Sequence, residues 1–583
     1  MFKISSRVLY SIVASAFLFV GCDKDDDSAS GDASALSSSE SILQYVPADT
    51  PYVFASIEPL SDELLDKLEP KLERVLQSYQ VILREVVAAK RLEDQSSQPD
   101  SEEIEQVTAV VDELLTLLSI DGMRSAGIGR ESTVAIYGNG ILPVIRMELT
   151  DGALFDSALT RIEEKAGQTL PVGRVDGHDY RYFEAEKVRV VLAVIDNQAV
   201  ITMVPAGVDE AQMGQALGLT LPASNIADSG VLQAIAEEYD FTNHYIGFLT
   251  VEALVEPFVG TATGINAELL AMGEHDASEL SDACRAEFRT MAGIVPRLIM
   301  GYNEISVDKF DSTVVFELRD DLAAGVQGLV AAVPGLGGDK NGLMSFGMSI
   351  DVKAVREFVE ARLEALQAAP FECEHFADIQ AGVASAQEAL QQPVPPMIYD
   401  FKGFLAVIDE IEGLDIAAQT PPTSIEGSFL LAMDNAQTLV SMGALFSPEL
   451  AALNLQSGGD PVALDLPQLQ SMGIEAFAAL TDNAVAISIG GDAESQLTGM
   501  LAAAATDPGP LLSFSVDAAR YYSFLSEAIA VGNQDDDNAP SPEMQTALKE
   551  VMLAVADIYD RMSADVLLTP KGVEFRSTVT LKD

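Results

Sequence analysis

Three scarcities narrow the reading before any motif is considered. The 583 residues contain no Trp, 4 His and 3 Cys. Without Trp the chain lacks the indole platform that commonly stacks on sugar rings, although 14 Tyr remain. His178, His244, His275 and His375 are the whole imidazole complement, so His-based catalysis has few places to reside. Positive charge is also short: 34 Lys and Arg stand against 90 Asp and Glu, a formal charge of −56. Phosphate binding needs Lys and Arg to displace counterions, which excludes nucleic acid as a partner and disfavours anionic lipid surfaces. What the chain has in quantity is apolar residues, 48% of the total, which is ample for sizeable cores. The acidic excess leaves two explanations open, a protein partner with a basic surface or adaptation to saline surroundings.

The N-terminus carries Lys3 and Arg7, then an apolar run from Val8 to Val20. A charged start and a short apolar stretch make residues 1–21 a signal peptide, too short to span a bilayer by itself. Val20-Gly21-Cys22 resembles the end of the bacterial lipobox, with Phe19 where Leu is usual. The resemblance implies cleavage before Cys22 and its lipidation, which would anchor the chain to a membrane. Residues 22–43, opening on Asp23-Lys24-Asp25-Asp26-Asp27 and rich in Ser, read as a solvated tether. An ordinary signal peptide cut near Ala29 or Ala33 is the alternative. The expected location is the bacterial cell envelope, facing the periplasm, with the choice of membrane open.

Cys284 and Cys373 are then the remaining pair, and an oxidising compartment favours a disulfide between them over two unrelated buried thiols.

Internal repetition sets the architecture. Four strand-like runs end in Ser/Thr, then Ile/Val, then an acid: Ser56-Ile57-Glu58, Thr250-Val251-Glu252, Ser349-Ile350-Asp351 and Ser515-Val516-Asp517. Each acid suits the cap of a following helix, and Pro59 suits its first position. Phe310-Asp311-Ser312-Thr313-Val314 recurs as Phe575-Arg576-Ser577-Thr578-Val579, at the same 265-residue offset as Thr250 and Ser515. Asp196-Asn197 and Asp482-Asn483 each mark a turn between strands. The expected fold is α+β, two duplicated halves of antiparallel strands with packed helices, spanning 44–335 and 341–583 around a 336–340 linker. Strands are predicted at 134–137, 144–149, 188–195 and 199–204, and a helix through Leu154, Ala158 and Ile162 ends at Gly167. Apolar spacing over 64–87 and 104–118 predicts a helical hairpin inserted in the first half.

Tyr45-Val46-Pro47-Ala48-Asp49-Thr50-Pro51 and Tyr137-Gly138-Asn139-Gly140-Ile141-Leu142-Pro143-Val144 together resemble an uncharacterised family of exported bacterial proteins. That family is a domain of unknown function, so the resemblance implies export and carries no catalytic residues.

Motifs of catalysis are missing. There is no Gly-x-Ser-x-Gly elbow, no phosphate loop and no His-Glu-x-x-His. Ser306-Val307-Asp308-Lys309 fits Ser-x-x-Lys without its companion motifs and reads as a turn. Glu274, His275 and Asp276 precede Cys284, while Glu374 and His375 follow Cys373, so a disulfide would bring possible Zn²⁺ or Mn²⁺ ligands together. A solvated acidic loop is the simpler account of these residues. No cofactor is expected. The reading adopted is a lipid-anchored binding or scaffold protein without catalysis. Two alternatives remain, a carrier with a deep apolar cavity and a metal-dependent hydrolase assembled from distant acidic and His residues.

Overall fold

Runs of β-branched and apolar residues broken by Gly, Asn and Asp turns produce the strands. Val134–Asn139 (β2) meets Leu142–Glu148 (β3) through Gly140, at φ +59°. A Cβ there would lie 2.2 Å from the Asn266 carboxamide oxygen, so glycine is required. Val188–Ile195 (β6) turns into Gln198–Pro205 (β7) through Asp196 and Asn197, both left-handed at φ +47° and +65°. The helix Gly152–Ala166 is capped by Asp151 and stops at Gly167, φ +63°, as its sequence predicts.

The computed structural model describes residues 41–94, 101–185, 187–273, 276–338, 341–413, 422–470, 473–506, 509–529 and 541–583. Helix makes up 45% and strand 29%, and all registered strand pairs are antiparallel, which places the chain in the α+β class. The chain forms two compact units that interleave along the sequence. The first comprises the described residues of Met1–Leu280, Leu298–Phe310 and Asn538–Ile558; the second comprises those of Ser281–Arg297, Asp311–Asp537 and Tyr559–Asp583.

In the first unit, Tyr52–Ser56 (β1) lies between β2 and Ile246–Thr250 (β8). With Val172–Val175 (β4) and His178–Ala185 (β5), the sheet order is β8–β1–β2–β3–β7–β6–β5–β4. Two further strands, Arg297–Ile305 (β9) and Lys309–Glu317 (β10), follow β8 in the chain. The predicted helical stretch contains Asp62–Asp94 and Ser101–Leu117, with residues 95–100 outside the described part. Asp62–Asp94 also packs along Pro542–Ile558, from more than 450 residues further on. Arg74 holds Asp557 at 2.6 Å, and Lys71 donates to the Asp557 carbonyl at 2.9 Å.

Two expected caps are corrected, and Glu252 is the first: it lies second in the helix Val251–Val259, with Thr250 at the cap position. The helix after β1 starts at Asp62, where the Leu64 N–H donates to the Ser61 hydroxyl, rather than at Glu58-Pro59. The Glu58 N–H instead donates to the Asn243 carbonyl. Asp351 and Asp517 do cap, accepting from Ala354 and Arg520 N–H at 2.9 Å each. Their shorter side chains reach a capping geometry that Glu seldom adopts.

In the second unit, Met344–Ser349 (β11) lies between Phe401–Glu412 (β12) and Leu512–Asp517 (β17). Ser424–Met433 (β13), Ala484–Ile489 (β16), Ala476–Leu480 (β15) and Val462–Ala463 (β14) extend one side. Tyr559–Thr569 (β18) and Gly572–Leu581 (β19) extend the other. Leu405, Leu430, Ala432, Ala486 and Leu497 form its core with Val333 and Leu336. Leu336, within the predicted linker, is therefore a core residue, while 339–340 lie outside the described residues.

Cations are scarce and shared. Arg130 binds Asp62, Asp66 and Glu69 at 3.0, 2.8 and 2.6 Å. Burial raises the Glu69 pKa, but hydrogen bonds from Arg130 and Arg124 outweigh it and hold the carboxyl below its ordinary 4.5. A depressed carboxylate stabilises the fold fully above its unfolded pKa and loses that contribution as pH falls through the folded value. Glu69→Gln should therefore lower the melting temperature at pH 7, and the gap from wild type should close as pH drops below about 4.5. Calorimetry of both proteins across pH 7 to 3 measures this; a gap independent of pH would refute it.

Candidate functional site

The cysteine corner is built from two segments of the second unit. Ser281 caps the helix Asp282–Ala292 and places Cys284 in its first turn. The Cys284 and Cys373 sulfurs lie at disulfide distance, 2.00 Å. One helix turn on, the Glu287 carboxylate accepts from the Glu372 and Cys373 N–H groups at 2.7 and 3.0 Å. Phe288, Phe371 and Phe376 pack beside it, and the His375 ring lies 6.1 Å from Phe288.

Of the proposed metal ligands, Glu274 and His275 lie outside the described residues. Asp276 belongs to the first unit and accepts from the Ser278 N–H at 2.8 Å, capping a short turn. Glu374 and His375 belong to the second unit, on a 3₁₀ turn. Among the described residues no three His, Cys, Asp or Glu side chains are grouped to hold a metal. Cys22 and the tether up to residue 40 lie outside the described part, and no described helix is long and apolar enough to cross a membrane.

The segments Tyr45–Pro51 and Tyr137–Val144 meet in the first unit. Pro47, Asp49, Thr50 and Pro51 line a pocket of about 250 Å³ with Gly138, Asn139 and Gly140. Gln212, Gln215 and the start of the helix Gly264–Met272 complete its wall. Thr50 is fully engaged: its hydroxyl donates toward the Tyr52 and Gly138 carbonyls and accepts from the Gly138 N–H at 3.0 Å. Asn266 accepts from the Ile141 N–H at 2.9 Å. These residues hold the β2–β3 turn against the segment leading into β1, and Asp49 remains exposed at the rim. Burial pushes the nearby Tyr52 phenol up to about 12, so it stays protonated.

The first unit also holds a buried group that the sequence did not single out. Arg146 is fully buried, yet its contacts include no carboxylate. It donates to the Gln198 carboxamide oxygen at 2.7 Å and the Leu217 carbonyl at 2.6 Å, and lies 3.9 Å over the Tyr45 ring. It also bonds Tyr137, whose burial raises its pKa while Arg146 opposes the rise. Its Nε has no partner. Tyr45 and Tyr137, the first residues of those two segments, therefore flank one buried cation.

The second unit presents a different surface. Residues in register across its sheet run Ile487, Phe429, Ala406, Phe346, Phe514 and Ala564. These lie on one face, and Phe346, Phe429, Ile487 and Phe514 are 42, 44, 41 and 37% exposed. Phe404 bridges the row, with ring centroids 5.7 Å from Phe346 and 6.0 Å from Phe429. The opposite face is buried, and there Ser349, Ser513 and Ser515 point inward. Ser349 donates to the Pro510 carbonyl at 2.7 Å, and Arg561 donates to the Ser515 hydroxyl at 3.2 Å.

Alternation in Leu512-Ser513-Phe514-Ser515-Val516 reads naturally as aromatic inside and serine outside. The structure reverses it. Period-two spacing separates the two faces without saying which one meets the core. The available signal was the absence of charge: β11, β16, Phe404–Ile408, Gly427–Met433 and Leu512–Val516 contain no Asp, Glu, Lys or Arg.

No protein-family model, curated protein or solved structure matches the chain.

Two stability outcomes follow from these sites. Arg146→Met should cost about 2–4 kcal/mol, because Gln198 and the Leu217 carbonyl lose a charged donor. Urea unfolding measures it, and a change below about 0.5 kcal/mol would show the contacts to be incidental. Replacing Cys284 and Cys373 by Ser should cost about 4–5 kcal/mol by loop entropy. Thiol titration of the unfolded, unreduced chain must first find both cysteines unreactive; two free thiols would refute the bond.

Proposed function

We propose that this protein is a lipid-anchored component of the bacterial cell envelope, facing the periplasm, that acts by binding partners and holding them without catalysis. The observation that carries the binding role is the outward-facing aromatic sheet of the second unit. A soluble surface normally scatters its apolar residues, and a registered, charge-free row of this kind is the mark of an interaction surface. It is the more telling in a chain of charge −56, where acidic residues were available to occupy those positions. The anchor rests on Val20-Gly21-Cys22 and the acidic tether that follows.

The two halves are best understood as an ancient duplication. The order β8–β1–β2–β3–β7–β6 has a counterpart in β17–β11–β12–β13–β16–β15. The Leu149 and Met433 N–H groups donate to the Asn197 and Asn483 carbonyls at 2.9 and 2.8 Å, in corresponding turns. Export and family kinship with uncharacterised bacterial proteins belong to the same proposal, supported by the two segments that line the first unit's pocket.

Membrane fractionation tests the anchor. Wild type should sediment with membranes and carry an acylated N-terminal Cys22 by peptide mass, whereas Cys22→Ser should lose the acyl mass. An unacylated, soluble wild type would overturn the anchor. Native mass spectrometry of the processed chain tests the absence of chemistry. The protein mass without bound metal is expected; a divalent ion retained in stoichiometric amount would overturn the metal-free reading.

A further inference from the structure

The aromatic sheet face has a projecting counterpart in the same unit. The helix Ala436–Phe446 contains no charged residue, and its body packs through Ala436 and Val440 near Leu431 and Val485. Those two are strand neighbours of Phe429 and Ile487 on the exposed face. At the helix end Leu445 and Phe446 are 81 and 86% exposed, beyond any other large apolar residue described. One unit thus carries a protruding apolar knob and a flat apolar face, both without charge.

We infer that the occupant of this face is a second copy of the same chain, which deepens and rests on the binding role proposed above. In a two-fold contact, the Leu445–Phe446 knob of each copy lies on the Phe346–Phe429–Phe514 face of the other, so every contact is made twice. The row supplies room for it, because Ala406 and Ala564 interrupt the larger side chains. With about 150–250 Å² for a whole aromatic side chain, the exposed fractions of Leu445, Phe446, Phe346, Phe429, Ile487 and Phe514 offer about 500–800 Å² per copy. A stable interface needs about the upper end of that range from each partner. The charge of −56 on each chain opposes association, and Glu449 is exposed three residues past Phe446. Screening therefore governs the affinity: the Debye length falls from about 10 Å at 0.1 M salt to about 3 Å at 1 M.

Sedimentation velocity on the chain from Asp23 onward, which keeps every described residue, tests this. The expected result is a monomer–dimer equilibrium that tightens about tenfold or more between 0.1 and 1 M NaCl. Phe446→Asp, at an exposed helix end, and Phe346→Asp, on the face, should each abolish the dimer. Mixing the two should restore a heterodimer, because one intact knob then meets one intact face. If Phe346→Asp fails to fold, Phe514→Ser takes its place. Wild type that stays monomeric at every salt concentration, or a dimer indifferent to both substitutions, would overturn the inference. Nile red, a neutral apolar probe, separates the two levels of the argument. A monomer that binds it and loses it with Phe346→Asp would retain the binding face with another occupant. A monomer that does not bind it would remove the binding role as well.

Discussion

With fewer than four positive side chains for every ten negative ones, cations decide where acidic segments of this chain can be packed together. Arg130 gathers three carboxylates at the start of the long helix Asp62–Asp94. Arg181 joins Asp156 and Glu163 on the helix Gly152–Ala166 to β5. Lys402 holds Asp351 and Asp434, tying the cap of one helix to the turn before another. Exposed ion pairs contribute little, but half-buried ones that serve several acids at once prevent like charges from splaying the elements apart. Arg146 is the exception, buried among carbonyl, carboxamide and aromatic groups in a protein with acids to spare. A neutral shell around a charge is costly unless its geometry is well fixed, and Tyr45, Tyr137 and Gln198 supply that geometry.

Parts of the second unit carry no charge of either sign. The row Ile487, Phe429, Ala406, Phe346, Phe514 and Ala564 and the helix Ala436–Phe446 contain no charged residue, so apolar surface is exposed there. The inward serines make this arrangement possible. Ser349 and Ser515 satisfy their hydroxyls within the buried side, so the sheet packs one face on small polar residues and presents its aromatics outward.

Interleaving of the chain explains features that local reading misses. The helix Pro542–Ile558 covers Asp62–Asp94, and the helix Asp282–Ala292 carries its cysteine to a segment 89 residues away. Contacts of such separation leave no periodic trace in either segment.

Local physics made much of the secondary structure legible. Predicted strands at 134–137, 144–149, 188–195 and 199–204 fall on β2, β3, β6 and β7, and Gly167 ends its helix because only a left-handed residue closes that turn without strain. The Asp-Asn turns and the capping Asp351 and Asp517 were readable for the same reason, since each acts within a few residues. Glu58 was misread because a competing donor–acceptor pair with Asn243 lies far along the chain. The first unit's sites were half legible: the turns of its pocket were visible as motifs, while the buried Arg146 was one Arg among many. The sequence by itself determined composition, charge, the cysteine pair and local element boundaries. Which face of the second sheet meets the core, and which cation is buried, were decided only by tertiary packing, because alternation has two equivalent phases and burial is a property of the whole fold.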